Sequence, residues 1–424
     1  HFRLVVTQDG ANIDYEVYAD GVLTLSATDT AHEIGVLTFM QLIFGHHTDI
    51  RLAAGHVAVW PAGAAPPLAD AVAAAFGHQG EPAGRRIERL CAEQGIPFTS
   101  VGDLDITTPM GPQGVHPPLD LMAECATADH GILYEPRTTL GLAYRTRASL
   151  YNQTPPLDLD YGDGVFFGLP EPVDDDRNTR NDITAKRPAS GEARAFLAAG
   201  PLSVADPPAG VGVYDTQVTL NVFADGVLPD HASWLLALGT VDEARYPRLR
   251  LGLHTPPIAS DLVLTAELAA LEQGDLIVVT GLPAWLPPDD VPVLALGFTE
   301  TLAPFTWDIE INTAPATVYT VAEYSSAAGA AGSKYDTDGS QLQAGITTTA
   351  TTFDVATTRG PLWTGDNAED GFDIYIGGER MTVTDIVTEA SPQTFTVTRS
   401  VNGVVKAHPA GATVRLWQPA RIAL

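Results

Sequence analysis

The side chains able to do chemistry in this 424-residue chain are eleven histidines, two cysteines and a large excess of carboxylates. A metal centre needs clustered ligands, and His46-His47, with His32 and His56 in the same region, are the best candidates. Their spacing fits no known ligand pattern. His32-Glu33 lacks the second histidine four residues on that a zinc-protease helix requires, and adjacent histidines on a strand point to opposite faces. Tyr335-Asp336-Thr337-Asp338-Gly339 opens like a calcium loop, yet it has neither a third ligand before its glycine nor a closing bidentate Glu. Both segments read as solvated loops, and no metal or other cofactor is expected.

Asp158 and Asp160 would share one face of a strand, as carboxylates do in many inert sheets. A Gly-x-Ser-x-Gly elbow, a phosphate loop and a dinucleotide fingerprint are all missing from the sequence, so catalysis is not expected. The run Asp174-Asp175-Asp176-Arg177-Asn178-Thr179-Arg180 reads first as a solvated loop. Its second reading is an inter-subunit ion-pair site made of Asp174, Asp175, Asp176, Arg177 and Arg180. Cys91 and Cys125 both fall in helical patterns, and a lone pair in so long a chain makes buried thiols rather than a disulfide framework.

The elements that must position these residues are bounded by composition. With 39 Gly and 32 Pro, helices are interrupted often and turns are frequent, which points to short strands. The expected fold class is mainly β with an α+β central body, built as several β-sandwich or β-barrel modules with a few helices. Against 52 acidic residues stand only 23 basic ones, a formal net charge of -29 that repels phosphate and disfavours specific nucleic-acid binding. The sequence contains no run of 18 apolar residues, so no membrane span is expected. A chain that starts at His1, without an initiator Met or a signal-type segment, reads as processed or partial.

Along the chain, Phe2, Leu4 and Val6, then Tyr15 and Val17, the turn Asp20-Gly21, and Val22, Leu23 and Leu25 alternate as strands do. A further strand is expected at 55–60. Residues 1–62 thus form a β segment and 63–80 a linker with an alanine-rich helix from Leu68. Helices are expected at 82–95, from Ile87, Leu90 and Cys91, and at 118–130, from Leu119, Met122, Ala123 and Ala126, with Gly131 as the stop signal. A hairpin of 132–134 and 142–144 should pack on the second helix. These belong to an α+β region spanning 81–215. A second, β-rich region spans 216–324, with a strand at 213–223, a helix at 225–245 and strands at 248–254, 275–281 and 307–311. Residues 325–333, rich in Ala, Gly and Ser, read as a linker. Residues 334–424 read as a small β domain with a core from Phe353, Trp363, Phe372, Phe395 and Trp417 and a tight turn at Gly377-Gly378. The echo between 15–23 and 220–228 is coincidental, because the first copy continues as strand and the second as helix.

Several blocks carry a family resemblance. Ile87-Glu-Arg-Leu-Cys-Ala-Glu-Gln-Gly-Ile96, Met110-Gly-Pro-Gln113, Leu119-Asp-Leu-Met-Ala-Glu-Cys125, His130-Gly-Ile-Leu-Tyr-Glu135 and Leu142-Ala-Tyr-Arg-Thr-Arg147 resemble minor tail proteins of actinobacterial phages and prophages. Gly274-Asp-Leu-Ile-Val-Val279, Gly297-Phe-Thr-Glu300 and Gly378-Glu-Arg-Met-Thr-Val-Thr384 look like the second half of the same family. The ordered series covers roughly residues 80–424. It implies a non-enzymatic tail-tip hub or baseplate component of the virion, assembled in the bacterial host cytoplasm. Homotrimerisation is implied, with the tail tube, distal tail, tape-measure and fibre proteins as partners, and with host cell-wall glycan as a further one. Residues 1–62 resemble the later half of a concanavalin-like jelly roll, whose inner face needs the missing strands. The rival reading is a secreted carbohydrate-binding or glycan-cleaving protein with a lectin-like module.

Overall fold

The computed structural model describes residues 2–35, 59–61, 64, 66–173, 178–286, 288–322, 337, 339–364, 371–387 and 389–424. It is mainly β, 35% strand and 20% helix, and multi-domain, as its composition implies. The chain divides into two compact units, one of His1–Gly80 with Gly111–Gly114 and one of Glu81–Met110 with Val115–Leu424.

In the smaller unit, the strands Phe2–Asp9, Asn12–Ala19 and Val22–Thr30 form an antiparallel meander. Its second turn is Asp20-Gly21, both at positive φ (48° and 81°), the geometry a two-residue hairpin needs. The pairings Leu4↔Val17 and Val17↔Leu25 put these apolar side chains on one face. A helix follows at Leu68–Ala75. Of the strand expected at 55–60, only Val59 and Trp60 are described, and neither is in a strand.

Among its described residues the larger unit holds three large cores and a small fourth cluster of Leu150, Leu294 and Ala316. In the first, the helices Ala83–Gln94 and Pro118–Asp129 pack with the strands Phe98–Val101, Leu142–Arg145 and Ile132–Tyr134. Ile87, Leu90 and Cys91 of the first helix are buried at the spacing read from sequence, and Gly95 caps it at φ 67°. The expected hairpin forms, but Leu142–Arg145 also pairs in parallel with Phe98–Val101, an edge not foreseen. The second helix ends differently from expectation. His130, not Gly131, takes the left-handed conformation (φ 56°). Gly131 is required for closeness instead, since a Cβ there would lie 2.4 Å from the Tyr144 hydroxyl.

The sheet of Asp215–Thr219, Asp182–Lys186 and Glu192–Phe196 shares this core with the helix Leu228–Gly239. The helix expected over 225–245 is therefore shorter, a 3-10 turn at Asp225–Val227 and then α-helix to Gly239. Its last residue must be glycine, because a Cβ on Gly239 would lie 2.3 Å from the Arg180 carbonyl oxygen. The second core lies inside a five-stranded sheet ordered Arg248–Gly252, Thr306–Pro315, Val291–Ala303, Leu276–Thr280 and Leu157–Asp160. Phe166, just beyond the last of these strands, bridges to Leu251 in the first, which draws the two edges of the sheet towards each other. The helices Pro256–Ala259 and Leu262–Ala270 were not anticipated. Asp261 caps the latter by accepting from the Val263 and Leu264 amides, a start signal legible in the sequence.

The third core fills a six-stranded sheet ordered Ser340–Leu342, Thr352–Thr357, Gln393–Thr398, Glu379–Ile386, Phe372–Ile376 and Arg415–Leu416. Phe353, Trp363 and Phe395 are buried in it and Phe372 packs at its margin. Trp417 does not. Leu416 points inward, so strand alternation sends Trp417 outward over Tyr375 and the Arg380 guanidinium, at 5.4 and 5.0 Å. Gly377 and Gly378 turn at φ 52° and 94°, as expected of a tight hairpin.

Candidate functional site

Two buried polar clusters stand out, and neither was singled out from sequence. The first gathers at the end of the helix Pro118–Asp129. Asp129, 1% exposed, accepts from the Thr108 amide (2.8 Å) and hydroxyl (3.2 Å), from the Tyr144 hydroxyl (2.7 Å) and from the Arg147 amide (3.3 Å). Burial and then the Asp129 charge push the Tyr144 hydroxyl far up, so Tyr144 stays a donor. The Arg147 guanidinium donates to the carbonyl oxygens of Asp129 and Leu424, at 3.2 and 2.8 Å. His130 Nε2 then lies 2.9 Å from His231 Nδ1, across 101 residues of sequence. Burial, His231 and Arg147 lower His130 to about 3, and burial and Arg147 lower His231 to about 4. Both rings are neutral at pH 7 and share one proton between the facing nitrogens.

The second cluster lies in the six-stranded sheet. Glu379, fully buried, takes Arg399 Nε and a second guanidinium nitrogen at 2.8 and 2.6 Å, His408 Nε2 at 2.9 Å and the Lys406 amide at 3.2 Å. Burial works to raise its carboxyl, but the bonds from Arg399, His408 and Lys406 outweigh that and hold it below the usual carboxylate range. Both clusters spend most of their polar groups on one another, although the buried Arg147 Nε has no hydrogen-bond partner among the described residues. They fix chain geometry.

Most of the residues singled out from sequence lie outside the described ones. Asp174, Asp175, Asp176 and Arg177 lie outside the described residues. Arg180 is half-buried, its amide donating to the Gly239 carbonyl at 2.9 Å. His46, His47 and His56 also lie outside, as do Asp336 and Asp338, while His32 is exposed and 3.0 Å from Asp29. Thr337 of the suspected calcium loop bonds Ser340. Asp158 and Asp160 sit on the outer face of Leu157–Asp160, where Asp160 caps the Gly162 amide. Cys91 and Cys125 are free and buried, with burial raising Cys125 to about 12. Among the described residues, no group of three His, Cys, Asp or Glu is arranged to hold a metal ion, and no helix is long and apolar enough to cross a membrane.

No family model matches the chain, and no curated protein matches it. Among solved structures, the 43 kDa tail protein of prophage MuSo2 from Shewanella oneidensis aligns at 13% identity and TM-score 0.38, over 57% of this chain and 65% of its own. The tail protein from Neisseria meningitidis MC58 aligns at 10% identity and TM-score 0.38, over 71% and 86%. A chain from the virion of a native gene transfer agent particle aligns at 14% identity and TM-score 0.38, over 63% and 56%. The chain thus spans just under two thirds of the Shewanella protein's length. Likeness at this level carries no assignment of function.

Proposed function

We propose that this chain is a structural virion component, a minor tail protein of the tail tip or hub, whose work is assembly. The observation that carries the reading is where the resemblance blocks fall. Ile87, Leu90, Cys91, Leu121, Met122, Cys125 and Tyr144 lie within them and form one buried core. Asp129 is flanked by two blocks, and Arg147 ends one of them. The residues that resemble tail proteins are therefore those that set the central fold, as a scaffold protein requires, and not a catalytic constellation.

On this reading the central body forms a homotrimer that joins tail tube, distal tail, tape-measure and fibre proteins, in virions assembled in the host cytoplasm. The segment 174–180 supplies inter-subunit ion pairs, and the N-terminal β segment is a lectin-like remnant near host glycan. An acidic surface suits a bore for DNA, since like-charged walls form no phosphate contacts to stall the strand.

Purified protein incubated with actinobacterial cell walls tests the reading against its enzymatic rival. No release of sugar or peptide is expected. Turnover abolished by one carboxylate substitution would favour the glycan-cleaving alternative.

A further inference from the structure

The end of the helix Pro118–Asp129 and the first turn of the helix Leu228–Gly239 are joined by the 2.9 Å approach of His130 to His231. Two neutral imidazoles satisfy that geometry, one donating and one accepting. A first added proton keeps the hydrogen bond but buries a charge. A second sets two N–H groups face to face and places two like charges at a ring separation of 5.1 Å. The charged groups facing the rings are few. Arg147 opposes any added proton on either ring, whereas Asp129 and Asp230 favour one on His231. Asp129 is already committed to Thr108, Tyr144 and the Arg147 amide.

We infer that the His130–His231 contact is an acid-sensitive latch within the larger unit. While neutral it ties the start of Leu228–Gly239 in place, and when both rings take up protons it opens and releases that helix from the strands it covers, Asp182–Lys186 and Glu192–Phe196. Leu228 and Ala232 are the buried core residues this would expose. The latch does not depend on the assembly role proposed above. Its direction follows from the two lowered values, about 3 and about 4, against about 6.5 in the unfolded chain. The open state binds the protons first, so the latch is fully closed above about pH 6.5 and weakens as the pH falls towards 4.

Hydrogen exchange of the full chain, corrected for intrinsic rates and read between about pH 7.5 and 4.5, tests it. Amides of 228–239 are expected to lose roughly tenfold to a hundredfold protection per pH unit in the acid half of that range, as one or two protons are taken up on opening. The strands Phe372–Ile376 and Gln393–Thr398 should hold theirs. His130→Asn, which keeps a residue tolerant of left-handed φ, and His231→Gln should each flatten the dependence. Histidine-selective NMR of the unmodified chain gives a readout independent of variant folding, with both rings neutral at about pH 5. Either ring charged at about pH 6, or protection over 228–239 that follows pH no more steeply than the C-terminal strands, overturns the latch.

Discussion

The two buried clusters use the same residue types and respond to acid in different ranges. In the C-terminal sheet a histidine has a carboxylate, Glu379, which also holds Arg399 in a two-pronged pair. In the central joint the two histidines hydrogen-bond each other, with the Arg147 guanidinium and the Asp129 and Asp230 carboxylates acting on them from nearby. The lowered carboxyl of Glu379 contributes stability above the unfolded value of about 4.3, lost as the pH falls through its folded value. The lowered histidines contribute stability above about 6.5, lost on the way towards 4. The ranges differ because the shifted group is a carboxyl in one cluster and a pair of imidazoles in the other. Acid should therefore begin to loosen the central joint about two pH units before it reaches the C-terminal sheet.

The largest effect should come from breaking the C-terminal pair. Arg399→Met leaves Glu379 buried and short of its main partner, and about 3–5 kcal/mol of stability should be lost in urea unfolding. A loss under about 1 kcal/mol would show that Glu379 protonates or reaches water, and would collapse the contrast between the clusters. In the central joint, Asp129→Asn keeps one oxygen for Thr108 but presents an amide to the Tyr144 hydroxyl, and about 1–3 kcal/mol should go. Gly131→Ala should cost a similar 1–3 kcal/mol, roughly, because its methyl would displace Tyr144 and with it the bond to Asp129. The exposed Arg85–Asp105 pair is the control. Arg85→Ala should leave the melting temperature unchanged within error, since solvent screens that contact.

Elements with a single clear period were legible in the sequence. Ile87, Leu90 and Cys91 mark one helix face, and Asp20-Gly21 and Gly377-Gly378 mark turns that only positive φ can make. The long hairpin Val291–Ala303 with Thr306–Pro315 was anticipated only at Trp307–Ile311. A bulge between Ala295 and Gly297 shifts its register and interrupts the alternation that sequence reading relies on. The helix Leu262–Ala270 hid because apolar residues surround it on several faces. The central polar joint was invisible for another reason. His130 and His231 are 101 residues apart, and no local spacing announces a contact that tertiary packing creates.

The assembly reading is tested most directly by the mass of the full chain under native conditions at neutral pH. A species of three copies of the 44.8 kDa chain, held together without added metal or ligand, is expected. A monomer that persists at the highest soluble concentration, and also stands singly in tail particles, would contradict it.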